Sequence, residues 1–187
     1  MKLKCLVLLV ALFIVSSLQL TAAAAPQLDS VLGIPWGASP DLARKNMTDN
    51  GYLFVWEGGD AGTGSRILEF KGSYAAFPAY FQLFFMNRQL WQLSVRISDE
   101  EYNMNYAFST VNKLLGEKYG PMEASKTYNY YRNIPITIHT WKLDGNTKAI
   151  NLRKIATFYI DKTKMNGGVF VYYENVQLFE KLKKSNI

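Results

Sequence analysis

Hydrophobic and polar positions alternate with a period of two through most of this chain and shift to a helical period in only a few places. Trp91, Leu93, Val95 and Ile97 alternate with Gln92, Ser94 and Arg96, the pattern of a sheet with one dry and one wet face. On this basis strands are predicted over 52–57, 66–71, 79–86 and 90–97, then over 127–132, 135–143, 148–160 and 168–174. Asn87-Arg88-Gln89, Asp144-Gly145-Asn146 and Asn166-Gly167-Gly168 have hairpin length, so neighbouring strands are expected to pair antiparallel.

Helices interrupt this pattern at recognisable start signals. Ser39-Pro40-Asp41 supplies a capping hydroxyl and a proline suited to the first helical position, and Asn50-Gly51 supplies the exit. Ser98 followed by Glu101 forms a capping box. Beyond it Met104, Phe108, Val111 and Leu115 make one apolar stripe, with Ala107 and Leu114 beside it. A short helix is expected over 175–184, where Lys181, Lys183 and Lys184 complement the negative helix end.

The order helix then four strands occurs twice, at an interval near sixty residues. The expected fold is α+β: a largely antiparallel sheet from two helix-then-strands halves, about 26–97 and 98–187, with the helices packed on one face. Neither half could cover its own apolar face alone.

The N-terminus changes the setting. Lys2 and Lys4, an apolar run from Leu6 to Val15 and the small residues Thr21 to Ala25 follow the plan of a secretory signal peptide over 1–25. Its removal takes away the only cysteine, Cys5, and leaves no segment expected to span a bilayer. The expected location is outside the cytoplasm, by export. Loss of Lys2 and Lys4 lowers the net charge from +6 to about +4, a modest and scattered excess that argues against a nucleic-acid partner.

The stretch Leu32-Gly33-Ile34-Pro35-Trp36-Gly37-Ala38-Ser39-Pro40, with Asn50-Gly51-Tyr52 after it, resembles the opening of many small exported bacterial proteins. Leu90 to Val95 and Leu114 to Pro121 match the continuation of that pattern. In layout the chain is similar to the tandem domains of beta-lactamase inhibitory proteins and to the smaller outer-membrane assembly lipoproteins of the BamE kind. That resemblance implies a binding or assembly role without catalysis, and a secreted or periplasmic location in a bacterial envelope. The cysteines that staple the inhibitor's helical loops are missing, as is the lipid-bearing cysteine of the assembly factors, so no functional residue is carried over.

Catalytic chemistry is short of parts. The single histidine, His139, sits in a strand beside Thr137 and Trp141 and opposite Ile136 and Ile138. Alone it makes no zinc site, and no metal or cofactor is expected. Asp99, Glu100 and Glu101 fall in a first helical turn, where the dipole favours negative charge. The glycine-rich loop 57–65 leads into a strand, where a phosphate site would open a helix.

Aromatic residues are the remaining signal, at 14% of the chain. Phe81, Phe85, Phe108 and Trp91 are expected in the core. Phe84, Tyr131, Trp141 and Tyr172 fall on the alternate strand phase, and are expected either to form an aromatic patch that anchors a partner or to make a second core layer beneath the terminal helix. The leading expectation is a non-catalytic envelope protein that binds a protein or other envelope component through these four residues. The alternative is a small-ligand carrier or hydrolase with a pocket between sheet and helix, in which Glu69 or Glu174 would stand near His139.

Overall fold

Twelve strands and three helices follow one another in the computed structural model, which describes residues 27–60, 64–97, 104–130, 134–160, 163–165 and 167–185. The signal-like segment, the Ser98 capping box and Tyr131 lie outside the described residues. A two-residue ladder, β1 (Ser30–Val31) with β2 (Ile34–Pro35), precedes helix α1 (Pro40–Asp49). Strands β3 (Leu53–Asp60), β4 (Ser65–Tyr74), β5 (Phe77–Met86) and β6 (Gln89–Ile97) come next, then α2 (Met104–Tyr119). The remainder is β7 (Ala124–Tyr130), β8 (Ile134–Leu143), β9 (Lys148–Ile155), β10 (Phe158–Ile160), β11 (Thr163–Met165), β12 (Gly168–Asn175) and α3 (Val176–Lys184).

The local signals act as their chemistry requires. Ser39 Oγ accepts from the Leu42 amide at 3.3 Å, with Pro40 in the first turn, and Gly51 at φ +82° ends α1. Asn175 Oδ1 accepts from the Leu178 amide at 2.9 Å and starts α3. Gly120, at φ +83°, closes α2. The inward stripe of α2 is Ala107, Val111, Leu115 and Tyr119, flanked by Met104 and Phe108, whereas Leu114 is exposed.

Eight strands form one antiparallel sheet in the order β3-β4-β5-β6-β12-β9-β8-β7. The first four run as a meander after α1. The last four run as another after α2, and the two blocks meet where β6 pairs with β12. Between Ile155 and Gly168, which are direct partners, the chain makes the small β10–β11 hairpin. The single long strand expected over 148–160 is thereby divided into β9 and β10, and Asn166 of the expected turn lies outside the described residues.

Two turns reach positive φ without glycine. Ala75 and Ala76 both adopt positive φ (52° and 67°) in the β4–β5 connection, as Asn87 and Arg88 (50° and 61°) do between β5 and β6. Two positive-φ residues match the right-handed twist of paired strands. β4 also runs past Gly72, where the Tyr52 ring occupies the space a side chain would need: a Cβ there would lie 2.5 Å from Tyr52 Cδ1.

The core lies between the sheet and helices α1 and α2. One cross-strand row reads Phe70, Phe81, Val95, Val171 and Leu152, each fully buried, and the next reads Leu68, Leu83, Leu93, Tyr173 and Ile150. Ala43 and Met47 of α1 and Val111 and Leu115 of α2 belong to the same cluster. Helix α3 is placed differently. Its Phe179 ring lies 4.3 Å from Trp91, which meets Phe84 at 6.5 Å on the opposite side of the sheet, and its buried Leu182 stands outside the main cluster.

The N-terminal segment is tied across the molecule. Trp36 Nε1 donates to Leu28 O at 2.7 Å, and the Leu28 amide donates to Asp144 Oδ2 at 3.3 Å. Lys148 Nζ reaches the same carboxylate at 2.6 Å and Asp29 at 3.2 Å. Burial works against the Lys148 charge, but the two carboxylates outweigh it and raise the ammonium above its ordinary range.

Candidate functional site

Side chains alternate across a strand, so the rows between the core rows form the other face of the sheet. There Glu69, Gln82, Ser94, Tyr172, Asn151 and Thr140 stand side by side on consecutive strands. Gln82 Nε2 donates to Glu69 Oε2 at 2.7 Å, and Thr140 Oγ1 to Asn151 Oδ1 at 2.9 Å. Glu174, one row further, accepts from Gln92 Nε2 at 2.8 Å and from Asn151 Nδ2 at 3.2 Å. Glu69 and Ser94, 8% and 6% exposed, are buried polar residues of this layer. The face is therefore an ordered polar network; an unpaired polar layer this enclosed would be costly.

Aromatic rings and arginines lie beside it. Phe170 and Tyr172 stack at 6.3 Å with planes 16° apart. The Arg153 guanidinium lies 4.4 Å from the Tyr172 ring centre, and that of Arg96 lies 5.0 Å from Tyr80. Burial raises the Tyr172 hydroxyl pKa; Arg153 opposes that shift and Glu174 adds to it. Trp56, on the edge strand β3, is 41% exposed and pairs with Glu69 in register.

The four aromatic positions singled out from sequence separate. Phe84 and Tyr172 are half-buried on this face. Trp141 is not there. It faces the core beside Ile150 at 2% exposure, its Nε1 donating to Gly120 O at 2.9 Å beneath the end of α2. Tyr131 lies outside the described residues. Trp91, expected in the core, turns to the Phe84 side because the register slips between Phe84 and Phe85: Phe84 pairs with Gln92 and Phe85 with Leu90, leaving Trp91 as the bulge residue. Tyr80 and Arg153 went unremarked in the sequence, although their place on the wet phase of strands β5 and β9 was the available signal.

His139 belongs to the helix side. Its Nδ1 donates to Asn112 Oδ1 at 2.6 Å, its ring meets Phe108 at 4.9 Å, and burial followed by the nearby Lys154 ammonium lowers its pKa. Glu69 and Glu174 project from the opposite face, so the sheet separates them from His139 and the expected acid–histidine pocket does not assemble. Among the described residues no group of three or more His, Cys, Asp or Glu residues could hold a metal ion. A cleft of about 490 Å³ beside α3 is lined by Trp36, Gly37, Gln89, Asn175, Gln177, Leu178 and Lys181, with one titratable side chain among them. No helix among the described residues is long and apolar enough to cross a membrane.

Comparison with protein-family models, with curated proteins and with solved structures finds no match to this chain.

Proposed function

We propose that this protein is a non-catalytic, exported binding module that uses the sheet face opposite α1 and α2 to hold another macromolecule, a protein or envelope component. One observation carries the reading: that face presents Tyr80, Phe84, Phe170 and Tyr172 beside arginines set by ring contacts and amides set by hydrogen bonds. Rigid aromatic surface backed by a fixed polar network lowers the ordering cost of association. The signal-like N-terminus supports export to a bacterial envelope. In the same reading each helix with its four-strand meander is one copy of a duplicated unit, and fusing the two at β6–β12 doubles the width of the binding face.

The alternative, a ligand carrier or hydrolase, has less support. Its histidine and glutamates are on opposite sides of the sheet, and the cleft beside α3 offers a single lysine for proton chemistry.

A photocrosslinking amino acid placed at Phe84 and, separately, at exposed Ser109 on α2 tests the proposal in the native envelope. Capture of one discrete partner from Phe84 and none from Ser109 is expected. Equal capture from both positions, or from Ser109 alone, would remove the open face as the binding surface.

A further inference from the structure

The register across the open face lines up residues far apart in sequence. Lys71 on β4 pairs with Tyr80 on β5, Tyr80 with Arg96 on β6, Arg96 with Phe170 on β12, and Phe170 with Arg153 on β9. Arg153 pairs in turn with Ile138 on β8, and Ile138 with Lys126 on β7. A cation thus stands on every second strand, with an aromatic or apolar residue between. Lys71, Arg96 and Lys126 are exposed, and none of the four cations forms an ion pair with a carboxylate among the described residues. Arg153 Nε is buried without a hydrogen-bond partner.

We infer that this row is a subsite for an acidic polypeptide segment in polyproline II conformation, with a carboxylate at every third residue. The inference rests on the open face being the binding surface. Neighbouring strands are about 4.8 Å apart, so cations on alternate strands recur about every 9.6 Å. A polyproline II chain rises about 3.1 Å per residue with three residues per turn, which returns a side chain to the same side about every 9.3 Å. The two periods agree. An extended β-strand would present i and i+3 on opposite sides. The rings of Tyr80 and Phe170 lie between the cations, where such a chain places its apolar ridges. Arg96 and Arg153 supply planar forks suited to carboxylates.

The charge strip is also one row wide. Glu69 stands in the adjacent row and Glu174 in the one beyond, which disfavours a densely charged polyanion such as a sulfated glycan or a nucleic acid.

The test titrates the purified protein, by tryptophan fluorescence and NMR, with a peptide of four Glu-Pro-Pro repeats, a peptide of the same composition with its acids in one block, heparin and a single-stranded oligothymidylate. The repeat peptide is expected to bind at least tenfold tighter than the blocked peptide. Lys71→Gln combined with Arg96→Gln, both at exposed positions, should weaken it about tenfold. Arg153→Lys keeps the charge but loses the fork, and should weaken it about threefold with the fold intact by circular dichroism. Equal or tighter binding of the blocked peptide, heparin or the oligonucleotide overturns the inference, as does undiminished binding by the double variant or no peptide binding. A crosslinker at Tyr80 separates this inference from the broader proposal: capture of a partner lacking such an acidic stretch, or capture from Phe84 but not from Tyr80, overturns only the inference, while capture from neither overturns both.

Discussion

The two faces of this sheet are built from the same strands, one residue out of phase, and they follow opposite chemical rules. On the side covered by α1 and α2 Phe81, Val95, Val171 and Leu152 meet in one row at 0% exposure, while α3 covers only the Trp91 end of the other. One residue along each strand, Tyr80, Arg96, Phe170 and Arg153 meet in a row that mixes rings with charge. Stability rests on the first surface, where apolar area leaves water beneath α1 and α2. The second keeps enough hydrogen bonds to stay ordered and enough accessible ring and charge to hold a partner.

Substitutions that respect or violate this division test it. Trp141→Ala, on the core side, should cost about 3–5 kcal/mol in urea unfolding, through a cavity and an orphaned Gly120 carbonyl. A loss below about 1 kcal/mol would mean that Trp141 is not a core residue. Next in size is Tyr74→Phe. The Tyr74 and Tyr173 hydroxyls share a hydrogen bond of 2.5 Å inside the core, and removing one leaves the other unsatisfied, at about 1–3 kcal/mol. Replacing both by Phe should recover part of that loss.

The same pair gives an alkaline signature. Burial pushes Tyr74 up to about 12 and also raises Tyr173, so the unfolded chain ionises first. Stability is complete below pH about 10 and should fall as pH rises toward about 12, a slope that the double phenylalanine variant flattens.

Tyr172→Ala, on the open face, should cost only about 1 kcal/mol, the scale of its contact with Arg153, while abolishing partner capture. A loss matching that of Trp141→Ala would erase the distinction between the faces. The smallest effect belongs to His139. Its pKa is lowered by burial and Lys154, so the folded state resists protonation. Stability should be full above pH about 6.5 and decline on acidification from there down to the lowered folded pKa, and His139→Gln should remove that component of the melting-temperature profile.

Much of this was legible from residue spacing. The cap at Ser39, the exits at Gly51 and Gly120 and the dry phase of β5 are short-range features, set by backbone geometry and a neighbour or two. Strand β8 shows where such reasoning stops. Ile136 and Ile138 suggested the core phase, but Trp141 and His139 face the core because they pair with Ile150 and Leu152. Ile134 and Ile136 are buried apart from the main cluster. A strand apolar in both phases cannot announce its own orientation; its partner's register decides. The Trp91 bulge likewise depends on how β5 and β6 align.

Sequence alone determined the alternation, the helix ends, the single cysteine and single histidine and the signal-like leader, because each can be read along the chain. Tertiary structure decided which phase of each strand lies under helices, sent α3 to the other side, and brought Lys71, Arg96, Arg153 and Lys126 into one line. Those outcomes depend on pairing between strands many residues apart, and a slip of one position would reverse every face.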